Sequence, residues 1–376
     1  MNAVELNIGN REAFDRVEFS NASGLALALY KNGGTACLSL DGLMISQVEG
    51  RPLQGGLEQV WLRVYTANGI ETSPLSGTAA DCAMHGNGAV WRKQHGPVDA
   101  SMQCVLHPEL PVLFRVCQAR NTGAQAVTLD WLVGQDIGLA DPGMLKNNEA
   151  YVCQYLDHRI LEHPVAGKVV LSRNNLDASH PFALHCCLQG AQSASTDGYQ
   201  FFGTQYKLSG TPAALHAPTL ENRVRQYEFA YSALQSRTRT LQPGEVDTAV
   251  FALYVVREHP AVSSAADLAL VDAMLAADVA QPGERLSGAP TSAFFASAPL
   301  LVADTLDEAA LKPLFDGDWR HFEYSASGEL LSFFCGDDVH VALPAKERIV
   351  ERQHGTVLRS GTGAALLDNT VSATCY

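Results

Sequence analysis

The chain has 376 residues, of which 47% are hydrophobic, and a formal net charge of -14 from 26 basic and 40 acidic side chains. This acidic balance argues against a nucleic-acid-binding protein, because neutralising phosphates requires clustered Lys and Arg. The apolar fraction excludes intrinsic disorder and is large enough for one large core or two ordinary ones.

Three further classes of protein are disfavoured. No stretch approaches the roughly 18 uninterrupted apolar residues of a membrane helix. The first 16 residues lack the basic and apolar regions of a secretory signal. The nine cysteines include no Cys-x-x-Cys pair, so they match neither a disulfide framework nor a zinc site. These features predict a cytoplasmic protein with reduced thiols, no metal and no membrane span.

Between residues 25 and 256, short apolar runs alternate with turn residues at intervals of about ten residues, which is typical of an all-β sandwich or barrel. Residues 112–117 are predicted to form one strand, and the turn at 121–123 leads into the next. Residues 249–256 are apolar at every position, which indicates a central strand covered on both faces. The inward face of the strand after residue 123 is predicted to comprise Val127, Leu129, Trp131 and Val133.

One segment has a helical pattern instead. Residues 264–267 resemble a capping box, and apolar side chains then share one helical face until Gln281-Pro282-Gly283 stops the run. The predicted apolar face comprises Leu268, Val271, Leu275 and Val279.

After this helix the strand pattern returns, and residues 329–335 and 339–343 flank a turn at 336–338 as a predicted hairpin. We therefore expect a mainly β chain with a large two-sheet sandwich, a short helical linker and a following β-rich segment. The predicted domains are a sandwich at 1–260, the linker at 261–283 and a hairpin-rich segment at 284–376.

The densest polar block of the chain lies at residues 134–158. Its carboxylates, amides and phenols are the groups that bind sugar hydroxyls, and aromatic rings suit the faces of pyranose rings. The alternative is that these side chains satisfy the backbone of a long crossover loop. Two of the carboxylates also suit a general acid and base, although their separation in space is not given by the sequence.

The other candidate sites are weaker. His185 and Cys187 face opposite to Cys186 if they lie on a strand, which favours a core strand with two thiols over a metal site. The glycine pairs at 86–88 and 361–363 lack the third glycine of a dinucleotide fingerprint, and no phosphate-binding loop or Gly-x-Ser-x-Gly motif is present. Nucleotide binding and serine hydrolase chemistry are therefore unsupported.

Motifs in the polar block, and others along nearly the whole chain in the same order, resemble the N-terminal region of inverting glycoside phosphorylases of glycoside hydrolase family 94. The resemblance is to the branch that holds the 1,2-β-oligoglucan phosphorylases and the related part of cyclic β-1,2-glucan synthases. The motifs are GGL at 55–57, WLR at 61–63, GQDIGLA at 134–140, NEAYV at 148–152, QYLDH at 154–158, RNN at 173–175, SHPF at 179–182, SFF at 332–334, LPAKE at 343–347, ERQHG at 351–355 and LRSG at 358–361.

This resemblance implies a super-β-sandwich of the galactose mutarotase-like type. Family members continue through a helical linker into an (α/α)6 barrel, which holds the catalytic Asp and most phosphate-binding groups, and end in a small β domain. The chain is therefore expected to be a fragment that is inactive without the missing barrel, its partner. In full-length relatives inorganic phosphate is the co-substrate and no metal or organic cofactor is needed.

The resemblance assigns no catalytic residue to this chain, but loops of the sandwich can border the oligosaccharide cleft. The candidates for substrate-proximal positions are Asp136, Asn148, Glu149, Tyr151, Asp157 and His158. Two alternative functions are a free-standing carbohydrate-binding module, which needs exposed aromatic side chains, and a mutarotase-like enzyme. The latter needs a His and Glu pair, and the sequence offers no convincing one.

Overall fold

The computed structural model describes residues 16–51, 55–204, 206, 210–226, 229–286, 308–315, 317–324, 328, 330–336, 339–342, 357–360 and 363–366. The motifs at 343–347 and 351–355 lie outside the described residues. So do residues 1–15, on which the argument against a secretory signal depends. The chain forms two compact units, Met1–Ala296 and Ser297–Tyr376. The predicted division at residues 260 and 283 stays a prediction.

Among the described residues, the first unit starts with a small antiparallel sheet, in which four strands follow one another in chain order. Alternate Leu side chains of its second strand, Leu25, Leu27 and Leu29, are fully buried in the main core of the unit. The strands are β1 (Arg16–Ser20), β2 (Leu25–Tyr30), β3 (Thr35–Leu40) and β4 (Leu43–Met44).

The larger sheet of the first unit has 14 strands among the described residues, in the order β6-β5-β11-β16-β15-β13-β14-β18-β10-β9-β8-β7, with β12 on β13 and β17 on β11. Its strands are β5 (Gln59–Thr66), β6 (Gly69–Pro74), β7 (Asp81–His85), β8 (Gly88–His95), β9 (Val98–Leu106), β10 (Val112–Asn121), β11 (Val127–Asp136), β12 (Leu156–His163), β13 (Gly167–Asn174), β14 (Phe182–Cys187), β15 (Ala191–Asp197), β16 (Ala230–Ser236), β17 (Arg239–Leu241) and β18 (Val246–Val256).

This sheet curls until its two ends approach each other. The imidazole of His95 on β8 lies 3.8 Å from the carboxylate of Glu71 on β6, although the two strands stand near opposite ends of the strand order. The enclosed face packs against the small sheet and forms one core with it. The prediction of a mainly β fold with two packed sheets is therefore confirmed.

Two strand predictions are also confirmed. The side chains of Val127, Leu129, Trp131 and Val133 all lie in the main core. Strand β18 pairs with β10 on one side and β14 on the other. Its side chains divide between the two faces of the sheet, with Phe251 in the main core and Ala252 in a second core on the outer face.

The helices in the described residues are α1 (Pro142–Cys153), α2 (Gly198–Phe202), α3 (Ala269–Ala276) and α4 (Glu308–Leu311), with short 3-10 helices at Gly77–Ala79, Ala213–His216, Ala265–Leu268 and Lys312–Leu314. The predicted capping box at Ser264 is present. Helix α3 ends at Ala276, earlier than predicted, because the backbone of Ala277 is extended. The predicted apolar face is wrong at Leu275, which is 37% exposed, whereas Met274 is buried with Val271.

The second unit contains β19 (Trp319–Tyr324), β20 (Leu330–Cys335), β21 (Val339–Ala342), β22 (Val357–Ser360) and β23 (Gly363–Leu366). Strands β20 and β21 pair antiparallel, which confirms the predicted hairpin. A small aromatic core supports the first three strands, since the rings of Trp319 and Phe333 stack with centroids 3.9 Å apart.

The eight cysteines of the described part of the chain are all free thiols. Cys186 and Cys187 are fully buried on opposite faces of β14, as the strand alternation predicts. No helix in the part that the structure describes combines the length and apolarity needed to cross a bilayer.

Candidate functional site

The polar block runs from the end of β11 through helix α1 into β12, so it is not the long loop of the alternative interpretation. Several of its side chains do satisfy backbone N–H groups, as that alternative expected. Asp141 caps α1, because its Oδ1 accepts hydrogen bonds from the backbone N–H groups of Gly143 at 2.8 Å and Met144 at 3.3 Å. Pro142 occupies the first turn, where its missing N–H and fixed φ are tolerated. An Asp-Pro start is a recognised helix signal, but the weak helix formers Gly143, Asn147 and Asn148 mask it.

Asn148 divides α1 into two segments. Its backbone is non-helical, with φ -162° and ψ 80°, and its Oδ1 accepts a hydrogen bond from the backbone N–H of Tyr151 at 3.0 Å. The side chain thus caps the second segment in the manner of an N-cap residue. This cap fixes the turn that carries Tyr151.

Tyr151 and Tyr155 form an exposed aromatic pair, which we call the tyrosine pair. Their hydroxyl oxygens lie 3.0 Å apart in a hydrogen bond, and their ring centroids lie 5.1 Å apart in an edge-to-face arrangement. The residues are 45% and 36% exposed. The opposite side of α1 is anchored, because Leu145 and Val152 are buried against Met44 and Ala140. The tyrosine pair is therefore held on the outside of the first unit.

Asp136 lies at the end of β11 and is buried. Its Oδ2 accepts hydrogen bonds from the backbone N–H groups of Gln47 at 2.9 Å and Val48 at 3.0 Å, and its Oδ1 accepts one from Gln135 Nε2 at 3.2 Å. Burial raises the pKa of the Asp136 carboxyl to about 7. In this conformation Asp136 holds the segment that follows β4 against the end of β11.

Asp157 and His158 are neighbours on β12, so their side chains point to opposite faces of the sheet. His158 is buried, and its Nδ1 hydrogen-bonds with Ser172 Oγ at 2.9 Å. Burial lowers the pKa of the His158 imidazole to about 4. Asp157 is only partly buried.

The six predicted residues thus occupy different environments. Asn148, Glu149 and Tyr151 share helix α1, and a hydrogen bond joins Asn148 to Tyr151. Asp136 and His158 are enclosed, and Asp157 faces away from His158. The contact of these residues with sugar stays a prediction.

A buried polar cluster on the enclosed face of the large sheet was not predicted from the sequence. Arg115 on β10 donates from Nη2 to Glu58 Oε2 at 3.0 Å and to Gln135 Oε1 at 2.5 Å. Thr35 Oγ1 donates to the other oxygen of Glu58 at 2.7 Å. The available signal was the alternation of β10, which places Arg115 on the same face as the core residues Leu113 and Cys117.

His185 on β14 belongs to the same enclosed face. Its Nδ1 hydrogen-bonds with Ser232 Oγ at 3.0 Å, and Ser232 pairs in register with Gln135 on the neighbouring strand. Burial, and next the positive charge of Arg115, lower the pKa of the His185 imidazole to about 3. His185 is therefore neutral in the folded protein at physiological pH.

Lowering the pH is expected to destabilise the protein through His158 and His185. Their folded-state pKa values of about 4 and about 3 lie below the ordinary 6.5, so the unfolded chain takes up protons that the folded chain excludes. This contribution to stability is fully present above pH 6.5 and is lost as the pH falls toward the folded-state values. The loss is about 1.4 kcal/mol per pH unit and per histidine.

Urea unfolding between pH 7 and pH 5 measures this effect in the wild type, His158→Gln and His185→Gln. Each substitution is expected to reduce the slope of the free energy of unfolding against pH. The reduction corresponds to the uptake of one proton fewer on unfolding. The raised pKa of Asp136 acts in the opposite direction, since its contribution is lost as the pH rises through about 7, and it is common to all three proteins. Parallel curves for the three proteins would show that the histidines take up protons equally in both states.

The described residues hold no group of three or more His, Cys, Asp or Glu side chains that suits a metal ion. Glu58, Asp136, His158 and His185 are all nine-tenths or more buried. A mutarotase-like reaction needs a base and an acid that reach a sugar, and these enclosed groups do not reach solvent in this conformation. The polar side chains of the block that reach the surface are the tyrosine pair and its amide and carboxylate neighbours on α1.

Residues 28–252, more than half of the chain, match the family model described as the SOGP N-terminal domain. The chain belongs to this family. A second match, to the glycoside phosphorylase supersandwich domain, covers residues 318–376. The tyrosine pair and the buried polar cluster around Arg115 both lie within the SOGP N-terminal domain.

Among curated proteins, the chain is 30% identical over 361 residues to the 1,2-beta-oligoglucan phosphorylase of Listeria innocua serovar 6a. The similarity covers 94% of this chain but 31% of that protein, so the chain spans about a third of the length of its curated relative. The relative supports the prediction that the chain is the N-terminal region of a glycoside phosphorylase.

Three solved structures resemble this chain, which contains the SOGP N-terminal domain, only weakly. A bacterial glucoamylase complexed with acarbose gives a TM-score of 0.44 at 8% identity, over 71% of this chain and 35% of its own. A polysaccharide lyase gives 0.41 at 14% identity, over 67% and 34%. A galactose mutarotase related enzyme from Lactobacillus acidophilus gives 0.37 at 10% identity, over 66% and 100%.

Proposed function

We propose that the chain is the N-terminal, non-catalytic part of an inverting phosphorylase that acts on β-1,2-linked gluco-oligosaccharides. The observation that carries this proposal is the 30% identity, over 94% of the chain, to a 1,2-beta-oligoglucan phosphorylase. This similarity reaches into both matched regions, at 28–252 and 318–376, so it is not confined to one motif.

In the proposed reaction, an oxygen of inorganic phosphate attacks the anomeric carbon of a terminal β-linked glucosyl unit. The bond from this carbon to the glycosidic oxygen breaks, and a protonated Asp gives its proton to the departing sugar. The products are α-glucose 1-phosphate and a shortened oligosaccharide, and the inverted configuration follows from attack on the opposite face. We place this Asp and the phosphate site in an (α/α)6 barrel, the partner of this chain in a cytoplasmic enzyme.

The environment of the charged side chains in the first unit agrees with a structural role for this part of the enzyme. Asp136 binds two backbone N–H groups, and Glu58 is paired with Arg115 inside the core. Buried polar groups that are already hydrogen-bonded within the protein brace the strands, and their burial keeps them away from a substrate in solvent. The part of the curated relative that lies outside the similarity is long enough for the catalytic barrel.

The proposal predicts that the purified chain alone releases no glucose 1-phosphate from sophorose or longer 1,2-β-gluco-oligosaccharides in phosphate buffer. A coupled phosphoglucomutase assay measures the product, with the full-length Listeria innocua phosphorylase as the positive control. Release of glucose 1-phosphate by the chain alone would overturn the assignment of catalysis to another part of the enzyme.

A further inference from the structure

We infer that the tyrosine pair is a preorganised contact site for the glucan chain of the substrate. This inference rests on the proposed function, since it names a part of the surface that binds the same gluco-oligosaccharide. It assigns a binding role to Tyr151 and Tyr155 together with the amide of Asn148.

The first argument is exposure. Isolated apolar side chains on a surface are ordinary, whereas neighbouring exposed aromatic rings mark binding sites. Tyr151 is 45% and Tyr155 36% exposed, and their ring centroids lie 5.1 Å apart. The apolar side of α1 is elsewhere, at Leu145 and Val152, so the exposed rings are not needed to anchor the helix.

The second argument is rigidity. The turn of Tyr151 is fixed by the Asn148 cap, and the phenol of Tyr151 is fixed by its hydrogen bond to Tyr155. The backbone of Tyr155 is fixed in turn, because its carbonyl oxygen accepts a hydrogen bond from the Asn175 N–H at 3.0 Å. A binding surface that is already ordered loses less conformational entropy when a ligand binds.

Asn175 is itself held in place. Its Oδ1 accepts a hydrogen bond from Arg173, whose guanidinium also donates to the carbonyl oxygens of His259 at 2.9 Å and Pro260 at 3.1 Å. Arg173 is 5% exposed, whereas Asn175 lies at the surface. The backbone of Tyr155 is therefore tied through Asn175 to a buried guanidinium.

The third argument is chemistry. One face of a pyranose ring is a set of C–H groups that pack on an aromatic ring, and its edge carries hydroxyls that need both donors and acceptors. Only one of the two phenol protons is used in the bond between Tyr151 and Tyr155, so the pair keeps a donor and acceptor lone pairs. Among the described residues the Nδ2 of Asn148 has no partner, and it lies on the same helix. An oligosaccharide of glucose meets these requirements.

The test is a titration of the 376-residue chain with 1,2-β-glucopentaose, followed by isothermal calorimetry and by backbone amide shifts. Replacing both tyrosines, in Tyr151→Ala/Tyr155→Ala, is expected to weaken binding by roughly tenfold or more, the loss of two ring contacts. Tyr151→Phe/Tyr155→Phe keeps the rings and is expected to retain most of the affinity. Tyr199→Ala, at a tyrosine of α2 that is 57% exposed, serves as the matched control and is expected to stay within about twofold of the wild type.

Two results would overturn the inference: no saturable binding by the wild type, or binding by a folded Tyr151→Ala/Tyr155→Ala variant within about twofold of the wild type. Near-ultraviolet circular dichroism and the melting temperature verify that each variant is folded. If pair-dependent binding is found but the chain supports no phosphorolysis when joined to a catalytic barrel, the proposed function fails and the contact site stands as that of a carbohydrate-binding module. If phosphorolysis is supported without pair-dependent binding, only the contact site is wrong.

Discussion

Replacing Arg115 by Met is expected to destabilise the protein by about 3–5 kcal/mol, because the substitution removes the counter-charge of the Glu58 carboxyl inside the core. The two side chains are 3% and 6% exposed, and their closest nitrogen and oxygen atoms are 3.0 Å apart. Gln135 also loses the donor of its 2.5 Å hydrogen bond. Urea unfolding at pH 7 measures the free energy of unfolding of the variant and the wild type.

Comparing Arg115→Met with a variant that also lacks the Glu58 charge separates the lost ion pair from the change in packing. Arg115→Met/Glu58→Gln removes both charges, so it is expected to recover part of the stability that Arg115→Met loses. If the single substitution changes the free energy of unfolding by less than about 1 kcal/mol, the pair is not enclosed as described. Equal losses in the single and double variants would assign the effect to packing alone.

Asp130→Ala is expected to have an effect of the same size, about 3–5 kcal/mol, on the outer side of the sheet. The Asp130 carboxylate accepts hydrogen bonds from Arg63 Nε at 2.7 Å and Nη2 at 2.8 Å, from Tyr65 Oη at 2.7 Å and from Gln235 Nε2 at 2.7 Å. Arg63 is 1% exposed in its side chain, so the substitution leaves a buried guanidinium without its counter-charge.

The same substitution is expected to increase the mobility of residues 211–222, which pack over Arg63. The reason is that Arg63 Nη1 donates to the carbonyl oxygen of Ala217 at 2.6 Å. Denaturant unfolding gives the stability, and limited proteolysis reports on residues 211–222. Glu162→Ala is the matched control: it breaks the exposed pair with Lys168 and is expected to cost less than about 1 kcal/mol. Similar losses for the two variants would contradict the burial of the Arg63 pair.

The strands were predictable because burial imposes a period of two on their side chains. Val127, Leu129, Trp131 and Val133 follow this period without interruption, and all four lie in the main core. The capping box at Ser264 was predictable for a similar reason, since its two hydrogen bonds form within a few residues of the chain.

Helix α1 was not predicted, because its stability comes from tertiary contacts more than from local preference. Its buried residues are Leu145, Val152 and Cys153, which do not repeat at regular helical spacing across the break at Asn148. The predicted end of α3 was too late, because apolar residues continue past Ala276 in the sequence. The backbone becomes extended at Ala277.

The composition of the polar block located the tyrosine pair only in part. Tyr151 was a candidate from its residue type, whereas the role of Tyr155 depends on the hydroxyl contact across the end of α1. The Arg115 cluster joins residues 58, 115 and 135, and the curling of the sheet brings these distant positions together. Contacts of this kind depend on the sheet order, which local sequence patterns do not give.

The most direct measurement is phosphorolysis by a chimera in which this chain replaces the aligned third of the Listeria innocua 1,2-beta-oligoglucan phosphorylase. The parent enzyme is the positive control, and cellobiose, which is β-1,4-linked, is the control substrate. We predict that the folded chimera releases glucose 1-phosphate from sophorose with phosphate, and little from cellobiose. A folded chimera that is inactive on sophorose, where the parent enzyme is active, would contradict the proposal that this chain is the N-terminal part of such a phosphorylase.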